Sequence, residues 1–284
     1  MKKISDKTFT MQGKLTEEQI IFFKRNGYLH FRNFIDTDTV SEFLNEIKKT
    51  ENYLLQNGIK KVNGIPLKFG VDTNGESLIQ RLAFTSQYSE RLHLFLRDPR
   101  LKFLLALLGR HDGRIGEYEK DGLVVNHYIN TTGSSFNHLG WHTDSPRDIF
   151  LGSKIQPMLN VGLHLDDCAA ENGGLKVIPG THTQSLFNLF FRKKYFVDNS
   201  ADKNEVGFDI KAGDLTIHDG RIWHRVQQSS FIGEKSRRRV MYIPIITGAY
   251  KPKDAQSATP LYHKIAQMKW NGYGNAFATN AIKN

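Results

Sequence analysis

The sequence predicts an α+β fold whose core is a jelly roll, or double-stranded β-helix, flanked by N-terminal helices. Two observations lead to this prediction. Apolar residues at helical spacing characterise residues 15–110, whereas short apolar or alternating runs follow in residues 120–246. Helices first and many short strands afterwards are typical of an α+β domain built on a jelly roll. Residues 247–284 form a tail without a recognised motif, and the 284 residues fit one elaborated domain.

The predicted helices have recognisable ends. Thr16 and Gln19 match a capping box, and Gly27 can close the helix that follows them. A second amphipathic helix is expected over about residues 39–56. The Leu-rich residues 89–108 are interrupted by a proline, and they predict two short helices with the proline in the first turn of the second. These helices are interpreted as scaffold rather than as part of a functional site.

Short strands are expected from residue 123 onward. Residues 123–130 alternate in character, so Asn126 and Asn130 should lie on one face of the same strand. Further strands are predicted for residues 158–165, 175–178, 207–211, 214–218, 222–226 and 238–246. Residues 183–206 form an aromatic and basic insertion between core strands. Two interpretations of this insertion stay open: a substrate lid, or a segment packed over the barrel.

One pair of residues has the spacing of metal ligands. His142 and Asp144 are two apart, and in a strand such residues point to the same face. Two imidazoles and one carboxylate on one side of an octahedral ion leave the opposite positions open, which is the arrangement of non-haem Fe(II) oxygenases. The spacing by itself is weak evidence, because 11 histidines and 29 acidic residues in a chain of 284 give roughly one such pair by chance.

The surroundings distinguish this pair from a second one. His164 and Asp166 have the same spacing but lie in an apolar run, which indicates a packed or hydrogen-bonded histidine. The first pair lies among Gly, Pro and short polar residues, as is typical of loops near functional sites. The third ligand must come from elsewhere in the chain. His218 and His224 are both candidates, and the residues alone leave the choice open because either can reach inward from a strand.

Composition argues against several classes of protein. The net charge is +10, but lysines and arginines are spread along the chain, so we expect no nucleic-acid partner. An anionic small-molecule substrate, or solubility alone, accounts for the charge. No apolar run of 18 residues occurs and the N-terminus lacks the apolar stretch of a secretory signal, so we expect no membrane span. Cys168 is the only cysteine, which suits a cytoplasmic location.

Three ordered blocks carry a resemblance to a known family. The blocks are Trp141-His-Thr-Asp144, Glu171-Asn-Gly-Gly-Leu-Lys-Val-Ile-Pro-Gly-Thr-His182, and a Gly-Asp segment followed by His224 and Arg237-Arg-Arg-Val-Met241. In this order they resemble the phytanoyl-CoA dioxygenase family of Fe(II)- and 2-oxoglutarate-dependent oxygenases. The resemblance begins at a helix and strand over residues 15–29 and continues to about residue 246.

The resemblance implies a metal centre formed by His142, Asp144 and His224. His224 is favoured over His218 because the distal histidine of the family precedes the arginine-bearing strand, and His218 would then be a neighbouring group. The implied cofactors are Fe(II), the cosubstrate 2-oxoglutarate and O2, and no catalytic residue beyond the metal centre is expected. A metal-bound imidazole usually donates its other N–H to a fixed acceptor, so an aspartate or a backbone carbonyl should orient His224.

The resemblance also implies contacts to 2-oxoglutarate. A planar guanidinium suits the far carboxylate of this diacid. In the family this arginine is the first of an Arg-Arg or Arg-Lys pair that precedes apolar residues. Arg238 matches that position, whereas Arg237 and Arg239 are interpreted as surface or edge charges. Asn126 and Asn130 are expected to contact the cosubstrate, as polar side chains of this strand do in related hydroxylases.

The implied reaction is hydroxylation of a small molecule with release of succinate and CO2. Halogenating relatives generally lack the metal carboxylate, so Asp144 argues against halogenation, whereas desaturation, cyclisation and epimerisation use the same ligands and stay open. Two alternative functions are a zinc-site hydrolase, in which the arginine has no role, and a non-catalytic jelly-roll binding module. The sequence does not identify the substrate, and Arg81, Arg147 and the 183–206 insertion are the expected places for its contacts.

Overall fold

The computed structural model of the chain describes residues 7–134, 136–146, 148 and 154–264. Over these ranges the α-helices are α1 (Glu17–Asn26), α2 (Thr37–Gln56), α3 (Glu90–Phe95), α4 (Pro99–Phe103) and α5 (Leu186–Phe191). Short 3-10 helices occur at Thr85–Tyr88, Leu104–Leu108, Ala170–Asn172 and Thr181–Thr183. In the described part of the chain, no helix combines the length and the apolar character that crossing a membrane requires.

The strands form two antiparallel sheets and a small hairpin. They are β1 (Tyr28–Phe31), β2 (Lys61–Val62), β3 (Ile65–Pro66), β4 (Lys68–Val71), β5 (Ser77–Leu82), β6 (Arg114–Ile115), β7 (Val124–Asn130), β8 (Leu139–His142), β9 (Met158–His164), β10 (Gly174–Val177), β11 (Val206–Gly207), β12 (Leu215–Asp219), β13 (His224–Gln227) and β14 (Gly233–Ile246). The larger sheet has the order β1-β12-β9-β14-β7-β5-β4, with β6 also paired to β14, and the smaller sheet has the order β11-β10-β13-β8. This arrangement is the predicted α+β jelly roll.

The ends of α1 and α2 are determined by local hydrogen bonds. The Thr16 side chain accepts the backbone N–H of Gln19, and the Gln19 side chain accepts that of Thr16, so the predicted capping box is confirmed. Gly27 ends α1 with a φ of 80°, a left-handed conformation that favours glycine. α2 begins two residues earlier than predicted, because the Asp36 carboxylate accepts the N–H of Thr39 and caps the helix there.

α2 packs against the larger sheet and builds the main core. Its side chains Phe43 and Leu54 join Ile79 of β5, Val161 of β9 and Ile217 of β12 in one buried apolar cluster. Burial of each large apolar side chain contributes roughly 1.5–3 kcal/mol. The helices of the N-terminal part therefore cover the sheet and act as scaffold, as predicted.

Some strands differ from the prediction. β4 and β5, which the sequence does not predict, extend one edge of the larger sheet beyond β7. The strand predicted at residues 207–211 shrinks to the two-residue β11, and Ile210 adds only an isolated bridge to Cys168. β14 begins at Gly233 instead of residue 238, because an irregular pairing with β7 continues as far as Asn130. Edge strands and irregular pairings carry weak periodicity, which explains why sequence patterns miss them.

A buried carboxylate joins β1 to the turn before β12. Asp214 accepts hydrogen bonds from the His30 imidazole at 3.0 Å, the Arg32 guanidinium at 2.7 Å, and the backbone N–H groups of Asn33 and Lys211 at 3.0 and 2.9 Å. Burial alone would raise the pKa of Asp214, but these donors outweigh burial and lower that pKa to about 2. Asp214 is therefore a structural residue and not a metal ligand.

Removal of this carboxylate is expected to destabilise the fold. Asp214→Ala leaves several buried donors without an acceptor, which should lower the free energy of unfolding by about 3–5 kcal/mol in urea titrations. Asp209→Ala is the control, because Asp209 contacts the same Arg32 from the surface at 3.8 Å. Since the folded pKa is depressed, the contribution of Asp214 should be present above about pH 4 and be lost toward pH 2. Equal stability of the two variants would contradict this role.

Candidate active site

Three side chains from two separate segments converge between the two sheets. His142 ends β8, Asp144 follows two residues later, and His224 begins β13. β8 and β13 pair with His142 opposite His224, and the two imidazole centroids lie 4.0 Å apart. One ligand atom from each of the three side chains lies within 4.8 Å of the others, and all three residues are buried. The structure thus brings together the three residues that the sequence predicts as metal ligands.

Backbone groups orient both imidazoles toward this cluster. Nδ1 of His142 lies 2.8 Å from the carbonyl oxygen of Gly140, and Nδ1 of His224 lies 3.1 Å from that of Ile222. A donated Nδ1–H places the ring lone pair on Nε2, which makes Nε2 the ligand atom of each imidazole. Burial, with His142 and His218 nearby, lowers the pKa of His224, which favours the neutral form that binds metals. The orienting group of His224 is therefore a backbone carbonyl.

His218 and His164, which are not part of the three-residue cluster, occupy different positions. His218 on β12 lies beside the cluster, with its ring centroid 4.3 Å from that of His224. Its Nε2 is 3.6 Å from Oδ2 of Asp144. His164 instead contacts the Thr216 hydroxyl at 2.9 Å, and burial lowers its pKa to about 3. This contact agrees with the prediction that His164 is a packed or hydrogen-bonded histidine.

The three consecutive arginines of β14 have different surroundings. Arg237 makes an ion pair with Glu234 at 2.5 Å, and Arg239 makes one with Asp166 at 2.6 Å. Successive strand residues point to opposite faces, so Arg238 faces the other way. Among the residues that the structure describes, Arg238 has no carboxylate partner. The charges of Arg237 and Arg239 are thus neutralised by ion pairs, whereas the charge of Arg238 has no such partner among the described residues.

Arg238 lies within reach of the metal cluster along β13. It is 6% exposed, and its two terminal nitrogens donate to the carbonyl oxygens of Gln227 at 2.9 Å and Asn137 at 3.2 Å. Its Nε is buried and has no hydrogen-bond partner in the described ranges. Gln227 is three residues along β13 from His224, a span of about 10 Å. This length suits a five-carbon diacid held by a metal at one end and a guanidinium at the other.

The two asparagines of β7 do not share one environment. Asn126 is buried, its amide nitrogen donates to the Tyr128 hydroxyl at 3.1 Å, and its Oδ1 has no partner among the described residues. Arg238 lies 5.6 Å from the Tyr128 ring, so Asn126 is near the candidate cosubstrate anchor. The Asn130 amide instead donates to the carbonyl oxygens of Ser229 and Phe231. Because that amide holds the loop before β14, the contact to cosubstrate that the sequence predicts for Asn130 has no support in this geometry.

The 183–206 insertion lies directly against the metal-ligand strand. The Tyr195 hydroxyl contacts the Thr143 hydroxyl at 2.6 Å, and the Phe196 ring stacks on His142 with centroids 4.8 Å apart. A Cβ on Gly140 would lie 2.7 Å from the Phe196 carbonyl carbon, so this approach requires glycine there. Phe196 has a φ of 61° and remains 56% exposed. Bulky residues rarely adopt this conformation, and such strain concentrates at functional sites.

Two further sites were expected to contact substrate. Arg81 on β5 lies opposite Asn126, and its Nη2 donates to Asp121 at 2.6 Å. Its Nη1 is buried and finds no acceptor in the described part of the chain. Arg147 lies outside the described residues. Sequence reasoning included Phe196 only as part of the 183–206 insertion, and it missed Asn160, whose amide donates to Asp144. An asparagine inside the apolar run of β9 was a usable signal, because such a buried amide needs a partner.

Comparison with solved structures identifies other chains of the same fold. The epimerase SnoN from nogalamycin biosynthesis, described as α-ketoglutarate-dependent, matches with a TM-score of 0.59 at 19% identity over 86% of this chain and 92% of that chain. SnoN has also been solved with Fe3+, α-ketoglutarate and nogalamycin RO. HygX from Streptomyces hygroscopicus, solved with nickel and 2-oxoglutarate bound, matches with a TM-score of 0.58 at 14% identity over 84% and 89%. These likenesses show the same jelly-roll fold.

Sequence comparison identifies the family. The phytanoyl-CoA dioxygenase domain-containing protein 1 homolog of Dictyostelium discoideum is 23% identical over 286 aligned positions, which cover 87% of this chain and 98% of that protein. The family model of phytanoyl-CoA dioxygenase (PhyH) matches residues 23–232. The match includes all three residues of the His-Asp-His cluster. Because it spans well over half of the 284 residues, the chain belongs to the phytanoyl-CoA dioxygenase (PhyH) family.

Proposed function

We propose that the protein is an Fe(II)- and 2-oxoglutarate-dependent dioxygenase that hydroxylates a small molecule. The observation that carries the proposal is the convergence of His142, Asp144 and His224 on one point. Two imidazoles and one carboxylate are the donor set that suits ferrous iron with open positions. When bound, the iron supplies the oxidative chemistry, in which O2 and 2-oxoglutarate give succinate and CO2 while one substrate C–H bond becomes C–OH.

The residues around the cluster have separate roles in this proposal. His142 and His224 present Nε2 to the metal, because their Nδ1 atoms are engaged by backbone carbonyls. Arg238 holds the far carboxylate of 2-oxoglutarate with its permanent charge. Burial raises the pKa of Tyr128 well above its usual value, so the hydroxyl stays protonated and can donate a hydrogen bond to that carboxylate. Asn126 positions the Tyr128 hydroxyl through its amide.

A zinc-site hydrolase or a non-catalytic binding module explains fewer of these observations. Neither alternative gives a role to the buried guanidinium of Arg238. Both neighbouring arginines form ion pairs, whereas Arg238 has no carboxylate partner among the described residues. Addition of Fe(II) and 2-oxoglutarate to the purified protein without air should produce a visible charge-transfer band. The absence of a band, together with tight retention of zinc, would favour the alternatives.

The substrate is proposed to be a small molecule that carries negative charge. The chain has a net charge of +10, and Arg81 offers a buried Nη1 without an acceptor in the residues described. A metabolite screen should identify compounds that accelerate succinate release. Mass spectrometry of the product then tests hydroxylation, because that reaction adds one oxygen atom whereas epimerisation leaves the mass unchanged. An unchanged mass would contradict the hydroxylase assignment and would match the reaction of the SnoN epimerase.

Phe196 is expected to form one wall of the substrate site. Phe196→Ala removes the ring that stacks on His142, which should raise the KM for the substrate about 10-fold by loss of apolar contact. The Fe(II)/2-oxoglutarate band should persist because no metal ligand changes. Phe187→Ala is the matched control, since Phe187 is an exposed phenylalanine of the same insertion and packs on Phe191. Equal KM values for the two variants would show that Phe196 does not contact the substrate.

A further inference from the structure

The burial of the His218 side chain in the interior of the jelly roll carries an uncompensated energetic cost. The residue is 1% exposed, and neither ring nitrogen has a hydrogen-bond partner within the described residues. Buried polar atoms are nearly always paired, because an unpaired one loses its hydration without compensation. His164 on the neighbouring strand β9 is paired in the usual way, because its Nε2 contacts the Thr216 hydroxyl. A leucine at position 218 would avoid this cost, which points to a role for the imidazole beyond packing.

The residues around His218 indicate what this role is. In the pairing of β9 with β12, His218 lies directly opposite Asn160, so the two side chains are neighbours on one face of the larger sheet. The Asn160 amide donates to Oδ2 of Asp144 at 3.0 Å. Nε2 of His218 lies 3.6 Å from the same oxygen. Two side chains of the larger sheet thus meet the carboxylate that follows β8 of the smaller sheet.

We propose that Asn160 and His218 are positioning residues that hold the Asp144 carboxylate in the orientation that binds the metal. This inference rests on the proposed function. A carboxylate turns about its side-chain bond, and donors on one oxygen fix that rotation. Asn160 already makes such a hydrogen bond, and a shift of a few tenths of an ångström brings the His218 N–H within hydrogen-bonding distance. Residues that orient a metal ligand in this way typically change metal affinity about 10–100-fold.

Binding of Co(II) to the metal-free full-length protein tests the proposal without activity. The visible spectrum of the bound ion and its Kd are measured for His218→Leu, His218→Gln and Asn160→Ala, together with thermal unfolding of the metal-free forms. His218→Leu and Asn160→Ala should weaken Co(II) binding about 10–100-fold and alter the spectrum. His218→Gln retains an N–H donor and should recover most of the affinity. Metal-free His218→Leu should melt at or above the wild-type temperature, because it removes unpaired polar atoms.

His164→Leu is the matched control. It removes a buried histidine from the same sheet face but breaks the contact with Thr216, so it should lower the melting temperature and leave the Kd for Co(II) unchanged. Wild-type affinity and spectrum in both His218→Leu and Asn160→Ala would overturn the inference while leaving the proposed function intact. Failure of the wild-type protein to bind Co(II) would overturn both. Should His218→Leu not fold, the contrast between Asn160→Ala and His164→Leu decides the question.

Discussion

Replacement of His224 by alanine is expected to abolish the metal centre. Only His142 and Asp144 would remain to hold the ion, on one short segment of chain. Loss of a group that merely orients a ligand already weakens metal binding about 10–100-fold, so loss of the ligand itself should exceed this range. The anaerobic Fe(II)/2-oxoglutarate band should disappear, and substrate-dependent succinate release should fall to background.

The same measurement decides between the two candidate histidines. His111→Ala is the control because His111 is exposed and outside the cluster, and it should keep the band at full intensity. His218→Ala should weaken metal binding but keep the charge-transfer band at saturating Fe(II), as expected for a positioning residue. A band that survives in His224→Ala and vanishes in His218→Ala would exchange the two roles.

Replacement of Arg238 by methionine is expected to separate cosubstrate binding from metal binding. Methionine keeps an unbranched stem of similar volume near the backbone and removes the guanidinium and its charge. Truncation of one partner in a buried, hydrogen-bonded charge pair costs about 2–5 kcal/mol. The KM for 2-oxoglutarate should therefore rise at least about 30-fold. The affinity for Co(II) should stay unchanged, because Arg238 is not a metal ligand. Arg238→Lys should recover only part of the loss, since an ammonium cannot form two parallel hydrogen bonds with a carboxylate.

The neighbouring arginines supply matched controls within the same strand. Arg237→Met and Arg239→Met remove equal charges that are paired with Glu234 and Asp166. Each should leave the KM for 2-oxoglutarate near the wild-type value, measured as succinate formation at increasing cosubstrate concentration. An increase in KM confined to one of these two variants would move the anchor to that residue and would contradict the assignment of Arg238.

The sequence by itself determined the local features of this protein. The capping box of Thr16 and Gln19, the end of α1 at Gly27 and the first-turn proline of α4 all depend on groups a few residues apart. The joint placement of His142 and Asp144 is also local, because the two residues are only two positions apart, although β8 ends at His142 and Asp144 lies just beyond it. Such features depend on backbone geometry that is the same in every protein, so residue types and spacing suffice to predict them.

The tertiary structure decided which distant groups meet. His224 lies in the cluster because β13 pairs with β8 in a register that sets it opposite His142, 82 positions earlier in the chain. Arg238 is singled out because Glu234 and Asp166 neutralise its neighbours, and the contact with Asp166 spans 73 positions. The role of Asn130, the approach of Phe196 to His142 and the contact of Asn160 with Asp144 also depend on strand register and loop path. Register follows from the combined packing of many side chains across the core, and no single segment of sequence contains that information.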